Sequence, residues 1–161
     1  MLDFLSWMEL SALGSFIRGS GPWTYPIVNL LHILGIASLF GSILIMDARL
    51  LGLWKEIPLA PLTRATVPTA AGGFVVAATT GVGLLSANAT EYAGNPFLLI
   101  KFTAIPLALL NAILTSRLPA WRVRGSRDLS ASERRQLATM GGISLTCWLT
   151  AVVAGRMIAY W

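Results

Sequence analysis

The sequence predicts an all-α fold: an integral membrane four-helix bundle with an N-terminal interfacial helix. Three observations carry that expectation. Hydrophobic residues make up 55% of the 161 positions. Charged residues make up only 12%, against roughly 25% in ordinary soluble domains. Those few charges gather in short intervals between four apolar runs, each near the ~20 residues that carry a helix across ~30 Å of hydrocarbon.

The elements follow in order as one membrane domain over 1–161. The first residues, "MLDFLSWMELSALGSF", lack a basic start, and Asp3 and Glu9 interrupt the apolar pattern, so they do not read as a cleaved leader. Leu5, Met8, Ala12 and Phe16 fall at helical spacing, which predicts a surface helix over 3–18. Gly19, Gly21, Pro22 and Pro26 then break the chain, and Trp23 and Tyr25 suit the headgroup level. Four spans are expected over 27–51, 67–85, 97–118 and 136–158. Ser130 followed by Glu133 has the spacing of a capping box, so the last helix is expected to begin inside the preceding loop.

Basic residues set the expected direction. Arg49, Lys55 and Arg64 lie between the first two spans. Arg117, Arg122, Arg124, Arg127, Arg134 and Arg135 lie between the last two. Only Arg18, Lys101 and Arg156 belong to the other side, and nine against three predicts cytoplasmic basic loops in a bacterial inner (plasma) membrane, with both termini outside. The net charge of +5 then points to anionic lipid headgroups, not to nucleic acid. Cys147 is the only cysteine and forms no intrachain disulfide. Small residues at four-residue spacing, such as Gly73, Ala77 and Gly81 or Ala104, Ala108 and Ala112, predict close helix packing. Pro106 predicts a kink in the third span.

That topology assigns each polar residue a depth. His32, the only histidine, lies one or two turns below the outer surface, and Lys101 and Arg156 come to a similar level. Asn29 is three residues before His32, and Glu91 and Tyr92 occupy the outer loop above. Six polar groups are therefore expected to converge on the outer half of the bundle. Asp47 and Asn111 are deeper and are read as interhelical hydrogen-bonding groups.

Three chemistries suit a membrane histidine. His32 could ligate haem iron, the one metal role open to it, with Lys101 and Arg156 holding the porphyrin carboxylates. It could transfer protons near neutral pH. A metal-transport role has no ligand-spaced cluster to support it. A quinone is a further candidate, since its carbonyls accept from His, Lys or Tyr. No phosphate-cradling, dinucleotide-binding or hydrolase motif occurs.

The stretches "LHILGIASLFGSILIMDARLLGL", "TGVGLLSA", "NPFLLIK" and "ALLNAILT" resemble an uncharacterised family of small four-helix bacterial integral membrane proteins. The layout is more distantly similar to membrane-embedded protoporphyrinogen IX oxidase and to copper-resistance membrane domains. In that oxidase an early-helix histidine and a lysine opening a later helix are tied to haem b. The resemblance implies those roles for His32 in "LLHILG" and Lys101 in "LLIKFT", while Phe40-Gly41 and Arg49 echo the rest of the motif with a one-residue slip.

The expected function is a haem- or quinone-binding membrane protein linked to electron transfer or porphyrin chemistry. Its cofactor-binding residues would be His32, Lys101, Arg156, Asn29 and Tyr92. The alternatives are a non-enzymatic subunit or assembly factor of a membrane complex, and a small oligomeric transporter.

Overall fold

The computed structural model describes residues 2–161. It is helical throughout, with no strand among the described residues. In chain order the helices are α1 (Leu2–Leu10), α2 (Ala12–Gly19), α3 (Thr24–Leu50), α4 (Leu59–Ala87), α5 (Pro96–Arg117), α6 (Pro119–Val123) and α7 (Ala131–Met157). Short 3₁₀ turns cover Ala89–Tyr92 and Ile158–Tyr160. Four helices, α3, α4, α5 and the α7 unit, are long and apolar enough to cross a membrane.

The front segment departs from the expected single helix over 3–18. Ser11 interrupts it. Its hydroxyl accepts from the Gly14 N–H at 3.2 Å and so caps α2, while donating back to the Met8 carbonyl at 2.5 Å. The two short helices do not share one continuous apolar face: Leu5 and Ile17 are buried, while Phe16 is exposed. Ile17 inserts between α3 and α4, next to Gly83 and Val28. Charge completes the attachment. Arg18 donates to the Ala87 and Ser86 carbonyls at 2.8 and 3.3 Å, and Glu9 accepts from the Thr90 N–H and hydroxyl at 2.8 and 2.6 Å.

Local chemistry explains where the long helices begin and end. α3 stops in a Schellman arrangement, with Gly52 at φ 107° and the Leu53 and Gly52 N–H groups returning to Ala48 and Arg49 carbonyls. α4 starts eight residues before the expected 67. Pro61 stands in its first turn, where no intrahelical N–H is needed, so proline does not delay the helix. Asn95 caps α5 by accepting from the Phe97 N–H at 3.0 Å. α7 opens on the expected capping box: Ser130 accepts from the Glu133 N–H and the Glu133 carboxylate accepts from the Ser130 N–H.

The backbones approach most closely where glycine lines the seam. Gly35 of α3 and Gly73 of α4 face each other, and a Cβ on Gly73 would stand only 2.6 Å from the Leu39 nitrogen. α5 packs along α7, and α7 packs along α3. Large side chains fill the space between the two pairs. Leu39, Ala108 and Trp148 are buried together, with Phe40, Phe74, Ile105 and Cys147 against them. The Phe74 and Trp148 rings meet edge to face, 6.0 Å apart, and so bridge α4 to α7. Most remaining bulky apolar side chains, among them Leu30, Val75, Leu110 and Val153, point outward, the pattern of helices solvated by lipid.

Candidate functional site

His32 lies eight residues into α3, about 12 Å along its axis. The ring turns toward α4, where Gly81 leaves space for it: a Cβ there would stand 3.0 Å from Cε1. Nδ1 is 3.1 Å from the Thr80 hydroxyl oxygen. That hydroxyl has one hydrogen, directed to the Val76 carbonyl 2.5 Å away. The Ala77 carbonyl, which can only accept, also lies within hydrogen-bonding reach of the ring. With Thr80 facing Nδ1, a proton on Nδ1 leaves Nε2 as the acceptor, and Nε2 has no hydrogen-bond partner among the described residues. A histidine oriented through one nitrogen presents the other as an acceptor or a metal ligand.

Lys101 lies five residues into α5, one turn below the helix start. Its side chain is half-buried and lies against α7, with Nζ 3.4 Å from the point where a Gly155 Cβ would stand. The lysine stem runs along this stretch of α7 at ordinary contact distance. No hydrogen-bond or ion-pair partner for the ammonium occurs among the described residues, and it lies within electrostatic reach of the His32 ring. A nitrogen acceptor from α3 and an ammonium from α5 thus lie toward the same end of the long helices.

The other expected site residues go elsewhere. Asn29 is exposed, one helical turn nearer the end and rotated off the face that His32 presents to α4. Arg156 is exposed and folds back on Tyr160, its guanidinium 4.7 Å from the ring centroid and bonded to the phenol oxygen. Glu91 is exposed. Tyr92 is half-buried in the connection between α4 and α5; burial, then neighbouring Tyr25 and Glu91, push its phenol above the usual value, so it stays a hydrogen-bond donor. Of the six groups expected to converge, His32 and Lys101 come within electrostatic reach of each other.

Comparison with family models, with curated proteins and with solved structures gives no match. The site is therefore read from its own chemistry. Among the described residues no group of three or more His, Cys, Asp or Glu could hold a metal ion. Two open grooves, of about 460 and 390 Å³, run along the outer surface near Cys147 and Thr146; His32 and Lys101 line neither. A resident haem would have His32 Nε2 as its axial ligand and Lys101 for one carboxylate, but Arg156 is held by Tyr160 and does not supply the second. The donor set fits a smaller molecule with one acceptor and one donor better than it fits a porphyrin.

Three polar residues that the sequence did not mark for this end matter to it. Thr80 orients the histidine ring through Nδ1. Asn95 holds the start of α5, and so the level of Lys101, by donating from its side-chain amide to the Ile158 carbonyl at 3.2 Å. Glu9 ties the front segment to the α4–α5 connection. Thr80 belongs to an unremarkable "AATTG" run, and only the facing ring distinguishes it from Thr79.

Proposed function

We propose that the chain binds a lipid-soluble quinone or quinol at the end of the bundle that carries the termini. The carrying observation is that His32 Nε2 and Lys101 Nζ, both without a partner among the described residues, lie within electrostatic reach of each other. A quinone carbonyl accepts from an ammonium, and a quinol hydroxyl donates to an imidazole lone pair. The reading keeps the link to electron transfer in a bacterial inner membrane, with the basic loops cytoplasmic and this site near the outer face.

One observation favours haem b as the second reading. The Thr80 hydroxyl orients His32 through Nδ1, the arrangement that prepares a ligating imidazole. Both readings are tested on protein purified in mild detergent. The quinone reading expects quinone in an organic extract of the protein, or saturable quenching of tryptophan fluorescence by an added short-chain quinone. His32→Ala and Lys101→Ala should each weaken that binding at least tenfold, while Arg156→Ala leaves it within twofold. The haem reading expects a Soret band that His32→Ala removes. Quinone binding indifferent to His32 and Lys101, in a protein that stays colourless when haem is offered, refutes both readings. Recovery of a stoichiometric protein partner in that case would favour a subunit or assembly role.

A further inference from the structure

Asp47 belongs to the opposite end of α3, fifteen residues and about 22 Å from His32. Its side chain is 5% exposed. Its Oδ2 is sealed from solvent and has no hydrogen-bond partner among the described residues. The cation nearest in sequence is turned away. Arg49 donates to the Ile57 carbonyl from Nε at 2.7 Å and to the Lys55 carbonyl from Nη2 at 2.9 Å, closing the loop after α3 instead.

The neighbouring helices offer Asp47 no charge. α7 presents the Ser144 hydroxyl to the carboxyl, and its backbone at Gly141 passes close to the Asp47 carbonyl. α5 grips the same stretch of α7 through Asn111, whose amide donates to the Met140 carbonyl at 3.0 Å. No ion pair to Asp47 occurs among the described residues. A buried carboxylate without a counter-charge is strongly disfavoured, and more so within a membrane-spanning segment. A metal cation would need several oxygen ligands around it, whereas Oδ2 is enclosed and unligated. The proton is the one cation that needs no further space.

We propose that Asp47 is a proton-binding site of this protein, loaded and unloaded from the aqueous phase at the basic-loop end. Only three residues, about 4.5 Å of rise, separate it from the end of α3 at Leu50. The step is proton exchange between water and Oδ2, with no electron transferred. In the loaded state Oδ2 carries the proton and the group is neutral; in the unloaded state the carboxylate keeps only the Ser144 hydroxyl. Ser144 stands beside the carboxyl and can donate to it in both states. This site is independent of the quinone reading, because none of its groups belongs to the His32–Lys101 end.

Infrared spectroscopy of the protein in phosphatidylcholine vesicles tests the proposal. A protonated-carboxyl stretch at neutral pH, shifted in D₂O, is expected from Asp47. It should disappear in Asp47→Asn and on raising the pH. The absence of the band, or its persistence in Asp47→Asn, overturns the proposal. Ser144→Ala keeps the carboxyl and should shift the band through the lost hydrogen bond; an unmoved band overturns the assignment even where Asp47→Asn folds poorly. Loss of the band on adding sodium at constant pH would assign the site to a metal cation and overturn the proton reading. In oriented vesicles, a pH step on the basic-loop side should bleach the band before a step on the other side does, and the reverse order would overturn the stated access.

Discussion

Replacing Gly73 by alanine should separate α3 and α4, the most extensively packed pair of helices. The added Cβ would meet the Leu39 nitrogen at 2.6 Å, the Gly35 carbonyl oxygen at 2.8 Å and the Ser38 Cβ at 3.0 Å. The first two are backbone atoms and cannot rotate aside. Ordinary contact begins near 3.4 Å, so the helices must part by about 0.8 Å. A gap of ~0.5–1 Å forfeits roughly a quarter to a half of each dispersion contact along the seam. Overpacking of this kind costs about 1–3 kcal/mol. Alanine's better helix propensity returns at most ~1 kcal/mol. Gly72 supplies the control, because nothing lies within 4 Å of a Cβ placed there. Thermal or denaturant unfolding in detergent, followed by tryptophan fluorescence, should therefore show Gly73→Ala destabilised and Gly72→Ala unchanged or slightly more stable. Gly35→Ala should resemble Gly73→Ala, and the double variant should cost less than the two losses added, since one separation relieves both clashes. Equal behaviour of Gly72→Ala and Gly73→Ala would refute the claim that backbone approach sets this seam.

Four further outcomes follow from named contacts. The Thr90 hydroxyl and N–H hold the Glu9 carboxyl below its usual value of 4.5, so its contribution is complete above that pH and lost as pH falls through the lowered value. Glu9→Gln should mimic acid, and both should speed hydrogen exchange at the Thr90 amide and cleavage between α2 and α3; exchange unchanged in acid would refute the tie. Ser130→Ala should cost about 1 kcal/mol by removing the α7 cap. Arg127 and the Ser130 N–H hold Glu133 down to about 2, so that capping box should survive mild acid and fail only as pH falls toward that value, read as fraying in amide exchange over 131–134. Asn111→Leu should cost roughly 0.6–2 kcal/mol in detergent, because the Met140 carbonyl loses its interhelical donor; no loss would mean that the bond is replaced by another donor.

The sequence by itself determined the helical class, the four long apolar segments and the capping box at Ser130. Each depends on residues within about one span of each other, where hydropathy, spacing and local hydrogen bonding suffice. It also marked His32 and Lys101, because ionisable groups within apolar runs are rare enough to stand out. Rotation about the helix axes was not legible. Asn29 and His32 are near neighbours in the chain, yet one is exposed and the other meets Thr80, because the Gly35–Gly73 seam sets which face of α3 turns to α4. Arg156 shares Lys101's depth but stacks on Tyr160, four residues on, a choice between two nearby partners that depth cannot make. The docking of the front segment and the unpaired Asp47 were decided by tertiary structure. Arg18 takes the Ser86 and Ala87 carbonyls of α4, whose positions exist only once the helices have packed.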